Sequence, residues 1–218
     1  MENIFLKKLL SFLWPITQKV ASEINGDVEI TWYQGKKLLD TKNANFSYGS
    51  LDLILEEAFK YTHIKQKDTV LILGLGGGNF IKKIQQDFLH TGKITAVELD
   101  KEIIRIAKDE FGINTNDKIE IFHQDAAKFI KNTKNTYDFI FVDIFVDNLV
   151  PDFFYSTVFW NSIYSVLKPK GRFLFNAGIL LKNATKLDLI VQSLDKKMIL
   201  FKKEGINKTN TLLFGEKS

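Results

Sequence analysis

Apolar positions along this chain switch between two periods, and each switch marks a change of element. Val70, Leu71, Ile72 and Leu73 form an unbroken apolar run, the pattern of a strand covered on both faces. Glycines at 74, 76, 77 and 78 and then Asn79 follow it. The next run, to Phe88, is amphipathic and predicts a helix. The same alternation continues downstream. Strands are predicted over 93–98, 118–122, 138–143 and 172–176, and helices over 101–111, 126–131, 153–167 and 185–194. Asp100 and Asp125 stand at two helix starts as N-caps. The segments 197–202 and 210–214 read as closing strands, antiparallel to each other because the link between them is short. Strands alternating with helices imply a mostly parallel, seven-stranded sheet with helices on both faces, an α/β fold.

Before this alternation the pattern differs. Ile4, Phe5, Leu9, Phe12 and Leu13 can share one helical face, which predicts a helix docked on the domain or on a second subunit. In 27–33, Val28, Ile30 and Trp32 alternate with polar residues. Gln34 and Gly35 then turn the chain into a partner strand over 36–40. A helix over 51–61 follows, with Ser50 as its N-cap. The chain thus divides into an N-terminal helix and β-hairpin region, 1–50, and an α/β domain, 51–218.

Composition narrows the chemistry. The 218 residues include no cysteine, so disulfides and thiolate metal sites are excluded, and His63, His90 and His123 show no metal-ligand spacing. No metal is expected. The net charge of +4 is carried almost wholly by lysine, with Arg105 and Arg172 the only arginines, which argues against a nucleic-acid partner. The N-terminal apolar run is broken by Lys7, Lys8 and Pro15 and is too short and charged to span a bilayer. The expectation is a cytoplasmic protein with no membrane partner.

Polar candidates fall at the carboxyl ends of the predicted parallel strands, where ligands of such sheets bind. Gly74, Gly76, Gly78 and Asn79 form a turn that lets backbone approach a ligand and offers N–H groups at a helix N-terminus. Alone, such a loop is equally a plain structural turn. Glu98, twenty residues after Gly78, can accept two ribose hydroxyls, or cap the next helix. Asp125 is an N-cap that can also accept from an adenine amino group, with the Ala126 N–H beside it as a donor. Asp143 ends the apolar strand DFIFVD, and partial desolvation there raises a carboxylate's pKa and suits a base. Asp138 lies at the opposite end of that strand and reads as structural. Asp147 and Asp152 either line a pocket for a cationic substrate or are plain loop acids. The aromatic cluster Phe153, Phe154, Tyr155, Phe159 and Trp160 is mostly core.

The segments VLILGLGGGN, AVELD, HQDAAKFI, YDFIFVDIF and LKPKGRFLFN together resemble the Rossmann-like S-adenosylmethionine-dependent methyltransferase fold, and within it the spermidine synthase branch. The hairpin 27–40, LLD at 38–40 and FSY at 46–48 extend the likeness over nearly the whole chain. The resemblance implies that Gly74, Gly76 and Gly78 cradle the nucleoside and its methionine-like tail. It implies that Glu98 holds the ribose, that Asp125 and Ala126 take the adenine, that Asp143 orients or deprotonates the attacking group, and that Tyr48 belongs to the substrate pocket. The branch carries an acid in its loop, GGGDG, where this chain has Gly77. Its second acid falls on Val146, one place before Asp147, and TKNAN lacks its glutamine and acidic pair.

Fewer anions beside the tail favour S-adenosylmethionine, whose carboxylate suits the loop N–H groups and Asn79, over the decarboxylated form. The leading expectation is therefore methyl transfer to a small or medium acceptor by a homodimer. Aminopropyl transfer from decarboxylated S-adenosylmethionine to a polyamine is the alternative. A non-catalytic binding protein on the same fold is a further one.

Overall fold

The computed structural model describes residues 4–41, 45–47, 50–146, 148–179, 184–208 and 210–218. Along β5 (Val70–Leu73) the side chains alternate between two cores. Val70 and Ile72 point to one face of the sheet, where α2 (Ser50–Phe59), α3 (Asn79–Asp87) and α4 (Lys101–Phe111) pack through residues such as Leu55, Ile84 and Ile106. Leu71 and Leu73 point to the other, against α5 (Ala126–Asn132), α6 (Thr157–Val166) and α7 (Ala184–Leu194). Burial on both faces is why this strand reads as a continuous apolar run.

The seven-stranded sheet also contains β6 (Ile94–Glu98), β7 (Ile119–His123), β8 (Tyr137–Val142), β9 (Leu167–Ile179), β10 (Met198–Ile206) and β11 (Asn210–Lys217). Its order is β10-β11-β9-β8-β5-β6-β7. The five strands from β9 to β7 run parallel, with Ile72 opposite both Ala96 and Phe141. β11 is antiparallel to β10, as the short predicted link required, and it also pairs antiparallel with β9. The strand order reverses at β5, so a crevice opens between the carboxyl ends of β5 and β8.

The N-terminal region is richer than a hairpin. β2 (Gly26–Tyr33) and β3 (Lys36–Thr41) pair as predicted, and β1 (Ile16–Ser22) and β4 (Asn45–Ser47) complete a four-stranded antiparallel sheet. β1 was not predicted because ITQKVAS is largely exposed and has little alternation; its conformation comes from pairing with β2. Val28, Ile30 and Leu39 join the same core as α2, α3 and α4. Asp100 fastens the two sheets together: its carboxylate caps α4 at Glu102 N (2.9 Å) and accepts from Ser22 Oγ and from Asn25 Nδ2 (2.7 Å).

Other departures are local. The helix expected over 153–167 starts as a 3₁₀ turn, Asp152–Tyr155, before α6. The residues 168–171, between the predicted helix and strand, lie inside β9, where Lys170 takes φ 62° and the pairing with β8 shifts register. α1 spans Ile4–Leu10 and has no buried residue; Ile4, Phe5, Leu9, Phe12 and Leu13 are all exposed. The domain thus does not cover that apolar face. Among the described residues no helix is long and apolar enough to cross a membrane.

Candidate active site

A cavity of about 780 Å³ fills the crevice at the β5–β8 switch. Gly74, Gly76, Asn79, Glu98, Asp125, Ala126 and Asp143, from four different strand ends, all line it. The sheet brings them together because parallel strands in register end at one edge.

The glycine loop is built by backbone geometry. Gly74, Gly76 and Gly78 have φ of 94°, 53° and 76°, a region that L side chains rarely adopt; Gly77 does not share it. At Gly74 an added Cβ would lie 2.8 Å from the carbonyl carbon of Asp143 and nearer still to its oxygen. The loop therefore rests directly on the backbone of Asp143. Gly78 departs from expectation. It is not among the cavity-lining residues, and a Cβ there would meet Ile113. Its glycine serves the left-handed turn into α3 and the packing of Ile113.

Glu98 ties the loop to the next strand end. One carboxylate oxygen accepts from Leu75 N (2.9 Å) and the other from Asp100 N (3.0 Å). Burial raises its pKa, the Asp100 carboxylate adds to the rise, and the backbone N–H donors oppose it. Each oxygen retains a further lone pair, so the bond to a ribose hydroxyl and the bond to the loop are compatible. Asp125 caps α5, accepting from Lys128 N at 2.9 Å, and also lines the cavity, as does Ala126, so the cap and pocket readings coexist.

Asp143 has the strongest signature of a base. Burial, with the negative charge of Glu98 nearby, pushes its pKa up to about 6 against the pull of a hydrogen bond from Asn176. Asn176 Nδ2 donates to Oδ1 at 2.9 Å, and Asn176 Oδ1 accepts in turn from Asn210 Nδ2 at 2.9 Å. Asn176 and Asn210 are 3% and 4% exposed and both line the cavity. Asn176 thus holds one oxygen of the Asp143 carboxylate, and Asn210 holds Asn176. Asp138, at the far end of β8, accepts from Thr69 N (2.8 Å), Thr69 Oγ1 (2.8 Å) and Lys168 Nζ (2.7 Å), the structural role expected of it.

Asn79, expected together with the loop N–H groups to suit a carboxylate, lines the cavity with its amide already engaged: Nδ2 donates to Asp52 Oδ1 at 3.0 Å, and Oδ1 is buried with no donor among the described residues. Tyr48 and Asp147, the expected substrate-pocket residues, lie outside the described residues. The sequence reading missed Asn176, Asn210 and the Ile24–Asn25 turn that walls the cavity. Asn176 had a signal, since it ends the apolar run FLF; Asn210 and Asn25 had none. Among the described residues no group of three or more histidine, aspartate or glutamate side chains is placed to hold a metal ion.

A match to the spermine/spermidine synthase domain spans residues 54–203, which covers β5 to β9 and every lining residue discussed so far except those of the N-terminal turn and Asn210. The chain belongs to this family. Within the family it is 33% identical over 124 residues to polyamine aminopropyltransferase 2 of Aquifex aeolicus, an alignment taking in 53% of this chain and 24% of that protein. The chain thus spans about a quarter of that relative's length. A polyamine aminopropyltransferase of Prochlorococcus marinus is 32% identical over 114 residues, covering 50% of this chain and 40% of that protein. Among solved structures, spermidine synthase from Thermotoga maritima superposes with a TM-score of 0.70 at 16% identity, covering 92% of this chain and 72% of that one. That likeness shows the α/β fold, shared with methyltransferases.

Proposed function

We propose that the chain is a transferase that moves an aminopropyl group from decarboxylated S-adenosylmethionine to an amine, with Asp143 as the base. The observation that carries this reading is Asp143 itself: a carboxylate lining the cavity, with one oxygen held by Asn176 and a pKa pushed up to about 6 by burial. A base poised close to neutral pH is matched to proton transfer. The names of the family relatives support aminopropyl transfer over methyl transfer.

Supporting features for the adenosyl ligand are the glycine cradle, the Glu98 carboxylate with lone pairs to spare and the Asp125–Ala126 corner. The ligand supplies a carbon activated by its positively charged sulfur. The chain's residues do the rest. Gly74, Gly76 and Glu98 fix the nucleoside, and Asn176 and Asn210 orient Asp143. Asp143 takes the proton that the amine nitrogen loses as its bond to carbon forms and the carbon–sulfur bond breaks. Positioning of this kind can supply roughly 7–11 kcal/mol of the barrier.

Methyl transfer is the second reading. It is favoured by Gly77, which places no acid in the loop. Incubation of the protein with diamines and either S-adenosylmethionine or its decarboxylated form, followed by mass spectrometry, separates the two. An aminopropyl increment from the decarboxylated form is expected. A methyl increment, with no aminopropyl product, would overturn the first reading. No thermal shift with any adenosyl ligand would favour a non-catalytic protein. A homodimer in the cytoplasm belongs to the same proposal; the exposed apolar side chains of Ile4, Phe5, Leu9, Phe12 and Leu13 support the dimer.

A further inference from the structure

Beside the glycine loop, where α2 meets α3, a hydrogen-bond acceptor has no donor among the described residues. Asn79 is the first residue of α3, is 3% exposed and lines the cavity. Its Nδ2 bond to Asp52 Oδ1 (3.0 Å) fixes which end of the amide is which, because a carboxylate can only accept. Oδ1 is therefore the free end, and among the described residues no donor reaches it. A buried carbonyl without a partner is costly, and a ligand N–H would remove that cost.

Asp52 adds charge to this acceptor. It is half-buried in the first turn of α2, whose Leu51, Ile54 and Leu55 wall the cavity. Burial raises its pKa, while Lys83, the Asn79 amide and Lys36 oppose the rise and Glu56 adds to it. Lys83 is itself engaged, 3.3 Å from Glu56 and 3.8 Å from Asp87. An acid in a first helical turn also favours the helix dipole, so helix stabilisation is the competing role. That role leaves the orphaned Asn79 oxygen unexplained.

We propose that Asn79 Oδ1, backed by the Asp52 carboxylate, receives the primary ammonium at the end of the ligand's alkyl tail, and that Asp52 sets a preference for a tail bearing only that cation. An amide oxygen with an anion behind it attracts an ammonium and repels a carboxylate. S-adenosylmethionine carries both groups on that carbon, and the decarboxylated form only the ammonium. The inference rests on the adenosyl site proposed above and names the residues that choose between its two candidate ligands.

The test is calorimetric binding of decarboxylated S-adenosylmethionine, S-adenosylmethionine and methylthioadenosine, which lacks the ammonium. It compares the parent with Asp52→Asn and Asn79→Leu, and melting curves report on folding. Asp52→Asn retains an oxygen for the Asn79 amide and removes only the charge. Loss of an interaction with a charged donor should weaken the decarboxylated ligand by roughly 10- to 100-fold and change methylthioadenosine by less than about twofold. The preference over S-adenosylmethionine should narrow in parallel, and Asn79→Leu should act in the same direction. An unchanged ratio of the two sulfonium ligands in Asp52→Asn, or an equal loss for methylthioadenosine, would overturn the tail assignment alone. Failure of methylthioadenosine to bind the folded parent would overturn the adenosyl site and with it this inference.

Discussion

Replacing Asp143 by asparagine should make the protein more stable while removing its activity. The folded carboxyl titrates near 6, against an ordinary value of 3.8. A raised carboxylate pKa means that the folded state resists the charge, so the penalty is absent below the ordinary value and grows as pH rises through the folded one. Worked through linkage, the rise from 3.8 to about 6 costs about 3 kcal/mol at about pH 7.5 and less than about 1 kcal/mol at about pH 4. Asparagine carries no charge and keeps an oxygen for the Asn176 amide, which donates at 2.9 Å in the parent. Asp143→Asn should therefore melt roughly 6 °C or more above the parent near pH 7.5 and close to it near pH 4. Turnover should fall by at least about 100-fold through loss of the base. Parallel melting curves at the two pH values are the assay. A variant no more stable than the parent near neutral pH, or one whose advantage persists unchanged at the acid end, would refute the desolvated base.

Asn176→Ala should lower kcat by about 10- to 100-fold with little change in KM, and move the acid limb of the pH–rate profile upward, since the lost donor favoured the ionised form of Asp143. Gly74→Ala should destabilise the fold by about 3 kcal/mol or more, read by denaturant titration, because its Cβ would collide with the Asp143 carbonyl and φ of 94° is unsuited to alanine. Asp138→Ala should cost about 2 kcal/mol of stability by the same titration, through loss of its bonds to Thr69 and Lys168, yet leave kcat near the parent value.

The part of the architecture legible in the sequence is the part whose burial is local. Val70 to Leu73 are covered on both faces, so their character shows in four consecutive letters, and the positive φ values of the loop leave glycines as their trace. Glu98, Asp125 and Asp143 were found because a parallel sheet converts strand ends into one edge. What was not legible depends on partners distant in sequence. β1 owes its strand to β2 rather than to its own pattern. Asn210 lines the cavity and bonds to Asn176, 34 residues before it. That Asp52, 27 residues before Asn79, occupies its side-chain N–H is likewise invisible in the sequence around the loop. On the proposed assignment, the orientation of that one amide favours an ammonium where the composition of the loop alone favoured a carboxylate.

The contact between Gly74 and the Asp143 carbonyl has a kinetic meaning. Without room for a methyl group between them, the loop and the backbone of the base cannot shift independently. On the proposed function, contacts made with a nucleoside on the loop would be transmitted to the reacting end, and binding energy gained far from the chemistry would appear as alignment of the base. Fragments that lack the nucleoside should accordingly suffer in the rate of the bound complex and not merely in affinity. The glycine would then be the joint through which recognition becomes turnover.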